Sequence, residues 1–296
     1  MIVEKKVSAV DKVTKYLYKS DKYKPFLLEY TYVDNGSGKD IICMPSFSSC
    51  SLGCKFCHLT QRKSKKSVAV EVDDNLAAIK YILKDQGIGS IQKAGEGNQT
   101  LLLSFMGAGE PTLNSDVLIE TAKQVRRRYS LFYDKVRFAL STIIPVPRHL
   151  DYISSEFLSN GLDLKIHYSL HLWDNETKRN LMPLALPTDK ALVLLKDLSK
   201  FHPIEVHYTP FSSNSGIEDI LKLKDLVETT NFNVKILNFS ERPDHLITPK
   251  ISSKDFYNNC ISEGIPSSRI EYYCPPGHDV NGCCGEFELD FSKYWD

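Results

Sequence analysis

The stretch TLLLSFMGAGEPTLNSDVLIETAKQVRRRYSLFYDKVRFALST, residues 100–142, decides the fold. Residues 100–107 are a short apolar run, too short for a helix, and read as a buried strand. Residues 114–130 carry a helical period behind Asn114 or Ser115 as the cap. Residues 135–142 form a second strand. Strand, helix and strand in so few residues make a parallel crossover unit. The alternation continues outward. Upstream, EVDDNLAAIKYILKDQG (71–87) is an amphipathic helix. Downstream, helices at 147–160, 188–201, 216–230 and 252–264 alternate with strands at 163–170, 203–211, 233–239 and 268–274. About six such units fall short of the eight of a closed barrel, which predicts an α/β protein built as a partial (β/α)6 TIM-like barrel. Ahead of it, FLLEYTYVDNGSGKDIICM (26–44) reads as a β-hairpin around Asn35-Gly36. Residues 1–25 are expected to be a short basic segment, and 26–296 the barrel with its N-terminal hairpin and a C-terminal cysteine loop.

Composition is that of a globular protein. Of 296 residues, 42% are apolar and 25% charged, which argues against disorder. No apolar run approaches the ~20 residues of a membrane span. The N-terminus carries no signal-peptide apolar core, so a cytoplasmic location without membrane contact is expected. The formal net charge is zero, yet residues 1–70 hold 13 Lys+Arg against 6 Asp+Glu. A basic region of this kind suits a polyanion or forms a solvated face.

Eight cysteines with no export signal point to metal or redox chemistry. Cys43, Cys50, Cys54 and Cys57 crowd near the start, and Cys260, Cys274, Cys283 and Cys284 near the end. Cys50, Cys54 and Cys57 stand in C-x3-C-x2-C spacing with Phe56 before the last. Three thiolates on one loop suit three irons of a [4Fe–4S] cluster, leaving the fourth iron open. Zinc is the competing occupant, with His58 or Cys43 as fourth ligand. The glycines of SFMGAGEPTLN let backbone approach a ligand closely, and Glu110 offers a carboxylate to an ammonium.

The cysteine loop resembles that of the radical S-adenosylmethionine (SAM) superfamily. A closer resemblance rests on IICMPSFSSCSLGCKFC, FMGAGEPTLN, ALSTIIPVP, HYSLHLWDNETKRNLMP and GHDVNGCCGEF, in that order. Together these are similar to the radical SAM methyltransferases that modify carbon 2 of adenine in rRNA and tRNA, and to their carbon-8 relatives. The resemblance implies cluster ligation by Cys50, Cys54 and Cys57. It implies SAM contacts from Gly109, Glu110, Ser141 and the Ser169-Leu170-His171 segment. Where the family has Asn-Pro, register gives Arg242-Pro243, with Asn238 a substitute for the asparagine. Cys284 matches the methyl-carrying cysteine, Cys43 the resolving cysteine and Glu29 the proton acceptor.

Two SAM molecules per turnover are then expected. Ring carbons of adenine are poor nucleophiles, whereas the Cys284 thiolate can take a methyl group by displacement. A radical formed from a second SAM activates that methyl for addition to the base, and Cys43 releases the adduct as a disulfide. The implied partners are RNA and a reductant such as flavodoxin or ferredoxin, and the chain is expected to be a monomer. Basic side chains at Arg126-Arg127-Arg128 and at Arg62, Lys63, Lys65 and Lys66 are candidates for phosphate contacts. Relatives carry a helical RNA-binding domain where residues 1–25 stand here, and the segment before Gly277 lacks their basic residues. Two rivals remain. One is a radical SAM enzyme acting on a peptide or small molecule, with a second cluster on the C-terminal cysteines. The other is an iron–sulfur or zinc protein that binds RNA without turnover. Cys260 reads as a core residue of its helix.

Overall fold

A computed structural model describes residues 1–61, 66–88, 99–240, 247–282 and 286–295. Among these, ten strands form one sheet in which sequence order is spatial order. The first four are β1 (Ile2–Val7), β2 (Val13–Tyr18), β3 (Leu28–Asp34) and β4 (Lys39–Cys43), each antiparallel to the next. From β4 onward the sheet is parallel, through β5 (Thr100–Phe105), β6 (Lys135–Thr142), β7 (Asp163–Ser169), β8 (Ile204–Tyr208), β9 (Asn233–Leu237) and β10 (Ile270–Tyr273).

Helices fill the crossovers: α1 (Val72–Asp85), α2 (Ser115–Tyr129), α3 (Pro147–Ser159), α4 (Asn175–Leu181) with α5 (Thr188–Leu198), α6 (Ile217–Thr229) and α7 (Ser253–Ser262). Six crossovers between seven parallel strands bear out the partial barrel. Lys39 and Cys43 of β4 line the same cavity as Glu271 and Tyr273 of β10, so the sheet curls until its parallel ends face each other.

Alternation along each strand sends apolar side chains outward to the helices and polar ones into the lumen. On β7, Leu164, Ile166 and Tyr168 join the main core, while Lys165, His167 and Ser169 face the lumen. Cys260 is fully buried within α7, in line with its reading as core.

Two features were not legible. Residues 1–25, read as a basic segment, contain β1 and β2, which continue the sheet without a break at the expected boundary. Every residue of β2 is buried, because the C-terminal segment covers one of its faces. The short helix α4 was also unread; Asp174 caps it by accepting from the Thr177 N–H at 2.6 Å.

Candidate active site

The loop after β4 carries Cys50, Cys54 and Cys57 over the carboxyl ends of the parallel strands, where (β/α) folds place their chemistry. Its placement is fixed by backbone. The N–H groups of Ser46 and Phe47 both donate to the Ala108 carbonyl, at 2.9 and 3.0 Å, and Lys55 N–H donates to Leu181 O at 2.9 Å. Leu52 packs among Ile143, Leu172 and Met182. The strand-end glycines are required by this approach. A Cβ on Gly107 would lie 2.7 Å from the Met44 carbonyl, and one on Gly109 would lie 2.6 Å from the Phe47 ring. Gly109 also has φ +96°, which disfavours any side chain.

A cavity of about 170 Å³ results, lined by Cys50, Cys54, Cys57, Gly109, Glu110, Ser141, Ser169 and His171. The candidate residues of four separate segments therefore meet. Burial pushes the Cys54 thiol well above the usual range, and neighbouring Cys57 and Cys50 push it further. Thiols this close repel one another as thiolates, and iron relieves that repulsion, so the donor set fits a cluster. Glu110 is buried; its Oε1 accepts from Thr112 Oγ1 at 2.8 Å and its Oε2 from the Ile143 N–H at 3.1 Å. Burial raises its carboxyl, and those donors pull it back toward the ionised form.

Ser141 and Ser169 hydroxyls lie 3.3 Å apart on adjacent strands. His171 has φ +47° and its Nδ1 accepts from the Thr209 N–H at 3.1 Å. Its backbone carbonyl accepts from Asn214 at 2.6 Å. Burial holds the imidazole neutral, with a pKa of about 3. Phe56, before the last cysteine, packs edge-on against this ring at 5.1 Å. Leu170, just past the end of β7, places its side chain in the main core, while Ser169 and His171 line the cavity. Asn238 lines the larger lumen of about 890 Å³. Arg242 and Pro243 lie outside the described residues.

A second, smaller pocket joins Glu29, Cys43 and the C-terminal segment. Thr31 and Cys43 are paired across β3 and β4, which puts Glu29 on the same face two residues away. Gly282, Glu286 and Phe287 line this pocket too, and Met106, Gly107 and Phe287 line both pockets. Cys283 and Cys284 lie outside the described residues, between Gly282 and Glu286. Glu29 is buried and paired with Lys15 of β2 at 2.6 Å; it also accepts from the Glu288 N–H at 3.1 Å. Lys15 was not foreseen, since a lone lysine among basic neighbours gives no signal.

Below the serines, Glu205 receives Lys165 at 2.6 Å, Lys235 at 3.0 Å and His207 at 3.2 Å. Burial raises its carboxyl, but these partners hold it well below the usual range. The candidate phosphate contacts fare differently. Arg126, Arg127 and Arg128 are exposed at the C-terminal end of α2, just ahead of β6. That is the end of the barrel opposite the cysteine loop. Lys66 is exposed, and Arg62, Lys63 and Lys65 lie outside the described residues.

The curled parallel sheet with its three-cysteine loop has the fold of a solved radical SAM methyltransferase. A solved radical SAM methyltransferase from Sphaerobacter thermophilus superposes on 98% of this chain and 81% of its own, with a TM-score of 0.79 at 16% identity. By sequence, the chain is similar to proteins named as RNA methyltransferases. It is 24% identical over 266 residues to a probable dual-specificity RNA methyltransferase RlmN of Halalkalibacterium halodurans, covering 85% of this chain and 67% of that protein. Its counterpart in Caldanaerobacter subterraneus is 29% identical over 199 residues, 64% of this chain and 50% of that one. The one in Clostridium novyi is 23% identical and aligns with 99% of this chain and 80% of its own. For several such relatives the chain spans less than two thirds of their length. No family model matches the chain. Among the described residues, no helix is long and apolar enough to cross a membrane.

Proposed function

We propose that this protein is a radical SAM methyltransferase that methylates a ring carbon of adenine, carbon 2 or carbon 8, in rRNA or tRNA. The observation that carries the reading is the convergence of Cys50, Cys54 and Cys57 with Glu110, Ser141, Ser169 and His171 on one cavity, next to the pocket of Cys43 and Glu29. Similarity to named RNA methyltransferases supports RNA as the substrate.

Cys50, Cys54 and Cys57 would hold a [4Fe–4S] cluster. When bound, the cluster and SAM supply the methyl group and the one-electron chemistry that activates it. Glu110 receives the ammonium of SAM, and the backbone at Gly109 lies close enough to flank it. The Ser141 and Ser169 hydroxyls and the neutral His171 ring bound the rest of the site, and Phe56 with Leu52 exclude water. Cys284 takes a methyl group on its thiolate, and Glu29 accepts the ring proton. Once the transferred carbon is joined to the ring, Cys43 attacks the Cys284 sulfur and breaks its bond to that carbon, which takes a proton and becomes the product methyl group. The disulfide left between the two cysteines is returned to thiols by an external thiol reductant. RNA presents the base extruded, since the cavity admits no stacked duplex. The electron comes from a protein such as flavodoxin or ferredoxin, and the chain works as a cytoplasmic monomer.

The test incubates cluster-loaded protein with methyl-labelled SAM, reductant and RNA, then applies mass spectrometry to nucleosides and peptides. Labelled methyladenosine, with label on Cys284 in its absence, is the expected result. Label on neither, despite SAM cleavage, refutes the RNA reading.

A further inference from the structure

Cys274 has no part in the chemistry above, yet it is not an isolated thiol. It is exposed just past β10, and its Sγ lies 3.8 Å from Nε2 of His278. On the far side of that ring, Nδ1 lies 2.7 Å from Oε1 of Glu286. Thiol, imidazole and carboxylate thus stand in line, with the carboxylate on the nitrogen remote from sulfur. This is the arrangement in which a carboxylate fixes the imidazole tautomer and leaves the other nitrogen facing the nucleophile as base.

The ring is held, not loosely placed. His278 begins a short 3-10 turn, His278–Val280, that is tied to the loop between β1 and β2. Gly277 N–H donates to Asp11 at 2.8 Å, and Asp279 accepts from Ser8 Oγ at 2.7 Å and Ala9 N–H at 2.8 Å. Gly277 has φ +91° and packs so closely on Val13 that a Cβ would come within 2.7 Å. Glu286 is mostly buried, and its Oε2 accepts no hydrogen bond among the described residues. Its charge is therefore directed chiefly at His278.

We propose that Cys274, His278 and Glu286 form a thiol–disulfide exchange site whose substrate class is an accessible disulfide. His278 Nε2 takes the proton from Cys274 Sγ. The thiolate attacks one sulfur of the substrate disulfide, forming a mixed disulfide with Cys274 as the substrate S–S bond breaks. The departing thiolate takes the proton back from His278. Atoms and electrons balance: one thiol and one disulfide enter, and one thiol and one disulfide leave. The site is independent of the RNA reading, since it needs neither the cluster nor Cys284.

Glutathione disulfide is the probe. The full chain is treated anaerobically at pH 7, quenched with acid, and the mixed disulfide on the Cys274 peptide is followed by mass spectrometry. His278→Ala is expected to slow its formation at least about tenfold, as loss of a positioned base does. Added imidazole should restore most of the rate, which it would not do if His278 only shaped the turn. Glu286→Gln should give an intermediate loss. Equal rates in the wild-type chain and both variants, or a loss in His278→Ala that imidazole leaves unchanged, would overturn the proposal. Failure here leaves adenine methylation untouched, because that is read from nucleosides.

Discussion

Glu110→Gln separates a ligand-binding role for this carboxylate from a structural one. The change keeps shape and removes charge. The Ile143 N–H, 3.1 Å from Oε2, can only donate, so the new amide must turn its oxygen to that side. Its NH2 then faces Thr112. The Thr112 hydroxyl, 2.8 Å from Oε1, and the Thr142 hydroxyl, which also bonds this carboxylate, can rotate to accept, and the Thr112 N–H, at the longer 3.3 Å, is left without an acceptor. One weak hydrogen bond lost predicts a stability change of about 1 kcal/mol. For a chain of this size that lowers the melting temperature by roughly 2–4 °C.

Ligand binding should respond far more. A buried carboxylate–ammonium contact that loses one partner costs about 2–5 kcal/mol. At ~1.4 kcal/mol per tenfold, the middle of that range weakens SAM binding by roughly 300-fold. The assay is anaerobic calorimetric titration of SAM into cluster-loaded protein, beside thermal unfolding of the same sample. A SAM affinity within threefold of wild type would refute the assignment of the ammonium to Glu110. A fall in melting temperature well beyond 4 °C would show that the carboxylate holds the β5 and β6 ends together.

Three further outcomes follow from the geometry. Gly109→Ala forces a Cβ against Phe47 at positive φ, and denaturant unfolding should show a loss of about 2–3 kcal/mol with the cysteine loop displaced. Lys178 is buried, bonded among the described residues to Tyr168 Oη at 2.7 Å and Thr188 Oγ1 at 2.9 Å, and burial lowers its pKa to about 7. The unfolded chain therefore holds a proton that the folded chain gives up between pH 7 and the ordinary lysine value; stability should rise by roughly 2 kcal/mol from pH 7 to 9. Lys178→Met should remove that rise, and identical pH profiles by denaturant unfolding would show that the charge is compensated. Cys43→Ala should allow methylation of Cys284 yet trap RNA on the protein, seen as an RNase-sensitive shift on a denaturing gel; normal multiple turnover would remove Cys43 from product release.

The parallel half of the fold was legible because its strands are short apolar runs and its helices carry a clear period; expected and observed limits of α2, β6 and α3 agree to within a residue or so. The cavity was legible for a different reason. In a parallel barrel every strand ends on the same face, so motifs placed at strand ends converge once the topology is known. Cys50, Cys54, Cys57, Glu110, Ser141 and Ser169 all sit at such ends. Leu170 shows the limit: a motif names three consecutive residues, but the backbone past Ser169, with His171 at φ +47°, turns the Leu170 side chain into the core. The β2 strand was illegible because Val13–Tyr18 alternates weakly and holds a buried lysine, whose partner Glu29 lies on another strand. Pairings across the chain leave no local periodic trace. Where the Arg126-Arg127-Arg128 run falls was not legible for a similar reason, since which end of a helix faces the site depends on strand direction.

The antiparallel half then acquires a role that its residue types alone do not suggest. Lys15 on β2 bonds both Glu29 and the Asn281 carbonyl, the latter at 2.6 Å, and Lys6 on β1 reaches Glu288 at 2.5 Å. Asp11, Ser8 and Ala9 in the loop between them hold Gly277 and Asp279. Leu17 packs in a separate cluster with Phe26, Leu27 and Phe291. The first two strands thus grip the C-terminal segment on both sides of residues 283–285. Among its described residues that segment has only two short 3-10 turns, and the contacts from β1 and β2 constrain it. The basic excess of residues 1–70 is accordingly spent in part on internal pairs, since Lys6 and Lys15 both end on Glu288 or Glu29. Fewer of those cations remain for a polyanion than the sequence count suggests.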